Sequence, residues 1–454
     1  MPAKAASLRR SGKYRFRAPA GPAITRPANL KELLEILGPS SRFTGPFRPM
    51  GANSASTDCN ASSTGTVIDM TGMDKILNVD AYNDTVTVQA GVRIGTVANT
   101  LSKQGLELAG SHDLMDRTVG GAIAGGCIGA TIDDDGAFFA SQVVAMKIVT
   151  PGGRQANVIN DNRKLLHVFR LSYGMLGIIS EATLKVRPIR GFVATHRRCS
   201  IDQFAAAAES LSKTSIGVKF YLMPFQDRVY LDLRRYSPEA RASRKIPWKL
   251  KDWGESTVLP HIFKSITRIV PMTGVRYRII DQISKATQGI VNNRLVNSGS
   301  NSTTLSRKPG RDKSQPLQYS TWIFPAADFS VVVQTYRDFC KRVQKESGFR
   351  CDMPTVGFRL SKDQSAILSP SFDEPMFALR AVSTQTRGWE DFTIDFAEFA
   401  EHWGGYAFFN QTRSLSVNHA SSAFGKRLAY FRNIRRQLDP DDRMMNPFLS
   451  QYFL

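Results

Sequence analysis

The chain has 454 residues, 42% hydrophobic and 22% charged; this suits two or three folded domains and excludes a collagen-like rod, a coiled coil or a mostly disordered polymer. Sixty lysines and arginines against 39 acids leave a formal charge of +21, which argues for an anionic partner: nucleic acid, a membrane surface or an acidic substrate. The five cysteines are widely spaced, with no C-x-x-C. That argues against a disulfide framework or a zinc site and suits the reduced thiols of a cytoplasmic protein.

Arg9, Arg10, Lys13, Arg15 and Arg17 precede the first acid, Glu32, without an apolar run behind them, so no export signal is expected. No stretch of 18 apolar residues is present, so no membrane span is expected. Leucines at 30, 33, 34 and 37 predict a helix over 24–37. A loop of small residues, 49–65, leads to strands at 66–69 and 85–90, then a helix at 94–104. Residues 110–130 are Gly-rich and apolar. Strands follow at 143–150 and 156–159 around Pro151-Gly152-Gly153, then a helix at 161–170 and a strand at 178–188. Beyond residue 190 the pattern predicts a helix at 201–212, a strand pair across 219–234, strands at 319–324 and 376–382, and helices at 328–345 and 422–438. Between them, residues 234–311 carry sixteen basic residues and four acids, a net +12. Residues 297–313 read as a polar loop.

Two small-residue loops carry the chemistry. The first runs from Pro49 through Met50, Gly51, Ala52, Asn53, Ser54 and Ala55 to Asp58; the second spans Thr118 to Gly129. Both can offer unobstructed backbone N–H groups to a pyrophosphate. Neither is a Walker loop or the usual Rossmann fingerprint, and such loops also serve as tight turns.

Their order and context resemble the flavoprotein family of vanillyl-alcohol oxidase and p-cresol methylhydroxylase type. The matching pieces include ITRPANLKELLEIL, FRPMGANSASTD, TVTVQAGVRIGTVANTLSKQGLEL, TVGGAIAGGCIGA and GMLGIISEATLKVRP. The C-terminal HWGGYAFFNQTR and LDPDDRMMNPFL resemble the aldonolactone and alditol oxidase branch, and the branch acting on polyprenyl-phosphoryl ribose. The resemblance implies an α+β fold: a two-subdomain PCMH-type FAD-binding domain over 1–192 and an α+β cap (substrate) domain over 193–400 with the basic insertion 234–311. A final segment, 401–454, would return to the flavin. FAD would meet Met50, Gly51, Ala52, Asn53, Ser54 and Ala55 from the first loop. From the second it would meet Thr118, Gly120, Gly121, Ala124, Gly125, Gly126, Cys127 and Ile128. Ile178 or Ile179 would lie at the adenine end, and Asn410 near the flavin. No metal is expected.

The departures matter too. Many relatives place a flavin-linking histidine where this chain has Asn53, whose amide is no nucleophile, so FAD is expected to be non-covalent. Cys127 is either a small buried hydrophobe or a plug that hinders oxygen, favouring a dehydrogenase over an oxidase. The lysine of the aldonolactone H-W-G-K motif is Gly405, and the polyprenyl-phosphoryl branch's lysine is Asn410. The paired Glu and Arg of the alditol branch are sought at Gly357 and Arg359. For proton chemistry beside the flavin the candidates are His402, His112, Asn410 and Arg359, with Tyr319 and Tyr406 as phenolic donors. The implied activity is oxidation of a CH–OH group of a small-molecule or lipid-linked alcohol. A reductase or epimerase component on a lipid-linked sugar, or a flavin-binding scaffold, are the rivals. In the basic segment, Val258, Leu259, Ile262, Phe263, Ile266, Ile269 and Val270 form an amphipathic stripe after Trp248 and Trp253. It is either a solvated cap helix or a docking face, over 245–285, for an anionic membrane or a membrane electron acceptor on the cytoplasmic side. No nucleic-acid motif is present.

Overall fold

The computed structural model describes residues 22–111, 113–129, 131–132, 135–159, 163–238, 240, 258–294, 299–300 and 317–454. His112, Trp248 and Trp253 lie outside the described residues. Strands β1 (Ala23–Thr25), β2 (Phe47–Met50) and β3 (Thr66–Asp69) make a parallel sheet in the order β1-β3-β2. The second sheet takes β4 (Ile76–Asp80), β5 (Thr85–Gln89), β6 (Leu106–Leu108), β7 (Val143–Val149), β8 (Gln155–Ile159) and β9 (Ile178–Pro188). Its order is β4-β5-β9-β7-β8, with β6 paired to β9. The third sheet has eight strands: β10 (Phe192–Cys199), β11 (Gly217–Met223), β12 (Arg228–Tyr236), β13 (Gly299–Ser300), β14 (Gln318–Pro325), β15 (Thr355–Leu360), β16 (Met376–Ser383) and β17 (Tyr406–Ala407). Its order is β13-β10-β12-β11-β15-β16-β14-β17.

The expected helix over 24–37 is shorter, Leu30–Leu37. Residues 23–25 instead pair with β3. Pro27 disfavours helical backbone at the residue before it, and Asn29 caps the helix by accepting from the Glu32 N–H at 3.0 Å. The helix then buries Leu33, Ile36 and Leu37. In β5 the alternation holds, with Val86 and Val88 fully buried.

Period-two alternation also divides the third sheet into two faces. Phe220, Leu222, Trp322, Phe324, Phe377 and Leu379 lie on one, under helices 201–212, 329–347 and 389–402; Phe204 meets Phe220 at 4.7 Å and Phe329 stacks on Phe377 at 4.4 Å. The other face carries a register row of Arg198, Tyr230, Tyr221, Val356, Arg380 and Thr321, one from each of six adjacent strands. This polar face is turned toward the first two sheets. The contact is made by Arg187 of β9, which pairs with Glu107 at 3.0 Å and Asp135 at 2.6 Å, while the Tyr236 hydroxyl of β12 donates to Asp135 at 2.7 Å. Among the described residues no helix is long and apolar enough to cross a membrane.

The first loop is held from beneath by Arg48. It is 1% exposed, and its guanidinium donates to the carbonyls of Cys59, Tyr173, Gly174 and Met444. Replacing it by Met strands those carbonyls. We expect Arg48→Met to cost about 3 kcal/mol, read as a lower Tm in a thermal melt; an unchanged Tm would show that the loop is held by other contacts.

Candidate functional site

The two small-residue loops meet because their residues are small. A Cβ on Gly51 would stand 2.0 Å from Thr118 Oγ1, and one on Gly120 would stand 2.8 Å from the Ala90 Cβ. Asn53 sits at φ 51°, a left-handed conformation that asparagine tolerates, with its carboxamide oxygen accepting from Asn60 at 3.2 Å. The second loop winds into a short helix, Val119–Ala124.

Together the loops wall an open cleft, the concave setting usual for cofactor sites. Met50 to Ala55, Thr118, Gly120, Gly121, Ala124, Gly125, Cys127, Ile178, Ile179 and Asn410 all line it. Gly126 and Ile128 do not: Gly126 turns at φ 67° against Leu171 and Phe408, and Ile128 is buried in the core. The last wall comes from the C-terminal segment. Asn410 donates to the Gly125 carbonyl at 2.7 Å; Ser56 N–H donates to Asn410 O at 3.0 Å, and Thr57 Oγ1 to Phe409 O at 2.8 Å. Thr118 Oγ1 and Asn410 Oδ1 are buried with no hydrogen-bond partner. Buried polar atoms are rarely left so. A pyrophosphate oxygen would accept from Thr118 Oγ1 and a flavin N–H would donate to Asn410 Oδ1, so the polar set fits a dinucleotide cofactor.

Two of the catalytic candidates lie elsewhere, and His112 is outside the described residues. His402 is exposed at the end of the helix Trp389–His402, its ring edge-on to Trp403. Arg359 follows Phe358 on β15 and so points to the helix-covered face, where its guanidinium donates to the Ser212 and Thr214 carbonyls. Gly357 faces the same way, with the Phe220 ring 1.9 Å from where its Cβ would be; no glutamate fits there. Of the three described candidates only Asn410 lines the cleft.

The arginine that sequence reasoning missed is Arg380 on β16, two residues after Ala378 on the polar face. Its Nε donates to Thr321 Oγ1 at 3.3 Å, and Thr321 donates on to Gln411 Oε1 at 2.7 Å. Burial holds its pKa down to about 10, with Tyr319, Arg117 and Cys127 in electrostatic reach. The signal was legible: one charge in the otherwise apolar-and-small run Met376–Ser383. Arg117 also lines the cleft. Burial pushes up the Cys127 thiol and the Tyr319 phenol, so both stay protonated at neutral pH. Among the described residues no His, Cys, Asp and Glu cluster could hold a metal ion.

This fold and cleft define a PCMH-type FAD-binding protein, and an FAD-binding-domain family matches residues 22–158. The D-arabinono-1,4-lactone oxidase family matches residues 182–452, over half of the chain, and the chain belongs to it. The L-gulono-1,4-lactone dehydrogenase of Mycobacterium tuberculosis (strain ATCC 25618 / H37Rv) is 26% identical over 206 residues, 45% of this chain and 47% of that one. The mitochondrial L-galactono-1,4-lactone dehydrogenase of Arabidopsis thaliana is 27% identical over 45% of this chain and 33% of its own. The chain thus spans half or less of the length of the curated relatives it matches. Cholesterol oxidase from B. sterolicum superposes with a TM-score of 0.73 at 14% identity, over 95% and 94% of the two chains; this likeness is one of fold.

The two loops make a direct prediction. Gly51→Val drives a side chain into Thr118 and should weaken FAD binding at least about tenfold, followed by fluorescence titration of the apoprotein. Gly152→Ala, where an added Cβ meets nothing within 4 Å, should bind FAD unchanged. Equal affinity in both variants would remove the loop contact from the cofactor site.

Proposed function

We propose that the chain oxidises a CH–OH group of a sugar-like or lipid-linked alcohol, with FAD held non-covalently in the cleft. The carrying observation is the half-buried Arg380 against Tyr319, in electrostatic reach of Arg117 and Cys127, two residues that line a cleft where Thr118 and Asn410 carry unpartnered polar atoms. FAD, when bound, supplies the hydride acceptor. The protein's part is to hold charge and protons. Glycine amides of both loops and the Thr118 hydroxyl would hold the FAD pyrophosphate. Asn410, tied to Gly125, would accept at Oδ1 from a flavin N–H. Arg380 and Arg117 stabilise negative charge developing on the substrate oxygen or the ring. They take the role that relatives give to a lysine, which cannot stand at Gly405: a Cβ there would meet Phe324 at 2.8 Å. Tyr319, against Arg380, is the phenolic donor on that side.

Asn53 in place of a histidine supports non-covalent attachment. The neutral Cys127 thiol supports restricted oxygen access, and hence a dehydrogenase. Aldonolactones, the substrates in the names of the relatives, are the first class to try. Mixed anaerobically with L-gulono-1,4-lactone or related sugar lactones, the FAD-loaded protein should lose its visible flavin absorbance, and Arg380→Met should bleach about 100-fold more slowly. Equal rates would remove Arg380 from the mechanism. Yellow colour in an acid-precipitated pellet would refute non-covalent FAD.

A second reading concerns the basic segment. The helices Leu259–Ile269 and Thr273–Arg294 form a hairpin packed through Leu259, Phe263, Tyr277 and Ile280. Its outer side exposes Ile269 (77%) and Met272 (67%) at the tip, then Val275, Ile279 and Ile290. Lys264, Arg268, Arg276, Arg278 and Lys285 surround them. Cations around exposed aliphatics support docking on an anionic membrane on its cytoplasmic face, where a lipid-linked substrate or membrane electron acceptor is at hand. Ile269→Asp with Met272→Asp should cut sedimentation with anionic vesicles about tenfold; equal sedimentation would refute docking through this tip.

A further inference from the structure

Next to the hairpin lies a second cleft that shares no lining residue with the cofactor cleft. Four cations line it: Arg198 of β10, Arg228 of β12, and Arg278 and Lys285 of the helix Thr273–Arg294. Tyr230 forms part of its floor. Asp281 is the one carboxylate among its lining residues, and Arg350 and Gln226 already occupy its Oδ1. Among the described residues none of the four cations is in an ion pair. Like charges converging on a concave surface repel one another unless an anion joins them.

The arrangement is fixed from two sides. Arg198 faces Tyr230 across β10 and β12, and Arg228, two residues before Tyr230, shares its face. Arg278 and Lys285 are seven residues apart, two turns along one side of the helix. Guanidinium groups held at such angles match the several oxygens of a phosphate. One step around the same helix lie the exposed Val275 and Ile279, so the cations border the apolar stripe.

Two sources of phosphate are possible, a substrate's or a lipid's, and position separates them. Arg198 and Arg380 share a register row, but four strand spacings divide β10 from β16. At about 4.8 Å each this is roughly 19 Å, longer than a sugar-sized substrate can bridge. The apolar stripe, by contrast, is adjacent. We infer that this cleft is a phosphate site that takes the headgroup of an anionic phospholipid when the hairpin lies on a bilayer. The inference rests on the docking reading of the hairpin. It adds a discrete, saturable site to what would otherwise be diffuse attraction.

The test uses the full-length, FAD-loaded protein and dihexanoyl phosphatidylglycerol kept monomeric, with binding followed by phosphorus NMR. The lipid should bind saturably, and Arg198→Gln with Arg228→Gln should weaken it at least tenfold. Lys31→Gln with Lys75→Gln removes the same charge from exposed positions elsewhere and should bind as wild type does. Equal loss in both double variants would mean diffuse charge and overturn the site. Inorganic phosphate competing as well as the lipid would overturn the headgroup assignment in favour of a free anion. Vesicle sedimentation keeps the two claims apart: monomeric lipid bound by a wild-type protein that leaves vesicles in the supernatant sustains the cleft and refutes only bilayer docking. Vesicle binding without monomer binding does the reverse.

Discussion

A single buried guanidinium joins the parts of this molecule that must meet for a cofactor to be held. Arg48 belongs to β2, yet its donors reach Cys59 beyond the first loop, Tyr173 and Gly174 before β9, and Met444 near the C-terminus. Burial brings its pKa down to about 10, still far enough above neutrality for the charge to persist. A desolvated cation is costly unless every donor is used, and four carbonyls from three distant segments use them. The floor of the cofactor cleft is therefore set by long-range closure of the chain rather than by the loop's own turns.

The same logic governs the opposite wall. The segment after β17 runs along the first loop, with Ser56 and Thr57 bonded to Phe409, Asn410 and Gln411, and Arg413 donating to the Ser56 carbonyl. Asn410 then crosses to Gly125 in the second loop. From Gln411 the hydrogen bonds continue through Thr321 to Arg380 in the cap sheet. The two small-residue loops and Arg380 are thus linked by one connected polar path. A change at either end is felt at the other because intermediate groups are buried and have few alternative partners.

Much of this was legible in the sequence, and the failures have physical causes. The meeting of the two small-residue loops was readable because close approach demands small residues: a Cβ on Gly51 would stand 2.0 Å from Thr118 Oγ1. Strands with clean alternation, such as β9, were found to the residue. Arg359 was misassigned because a two-apart pair of residues looks the same on either face of a strand, and only tertiary packing on Phe220 reveals which face is covered. His402 drew attention by residue type alone, and ends a helix in solvent. The helix Thr273–Arg294 went unread because its apolar residues serve two sides, one packed on the hairpin partner and one exposed, which blurs helical periodicity. Arg48 resembled any loop-flanking arginine; its partners are up to 396 residues away.

The chain's surplus positive charge resolves into two kinds. Arg48 is buried among carbonyls, Arg117 lines the cofactor cleft, and the half-buried Arg380 donates to the Thr321 hydroxyl. The other kind is the hairpin cations: among the described residues that line the cleft beside the hairpin, Asp281 is the one acid, and Arg350 engages it. An enzyme gains nothing in fold from such a cluster, since unpaired surface charges repel. Its persistence next to exposed isoleucines is economical only if an external anionic, partly apolar surface meets both at once. That condition is met by a bilayer more fully than by a soluble anion, which would satisfy the arginines and leave Ile269 and Met272 in water.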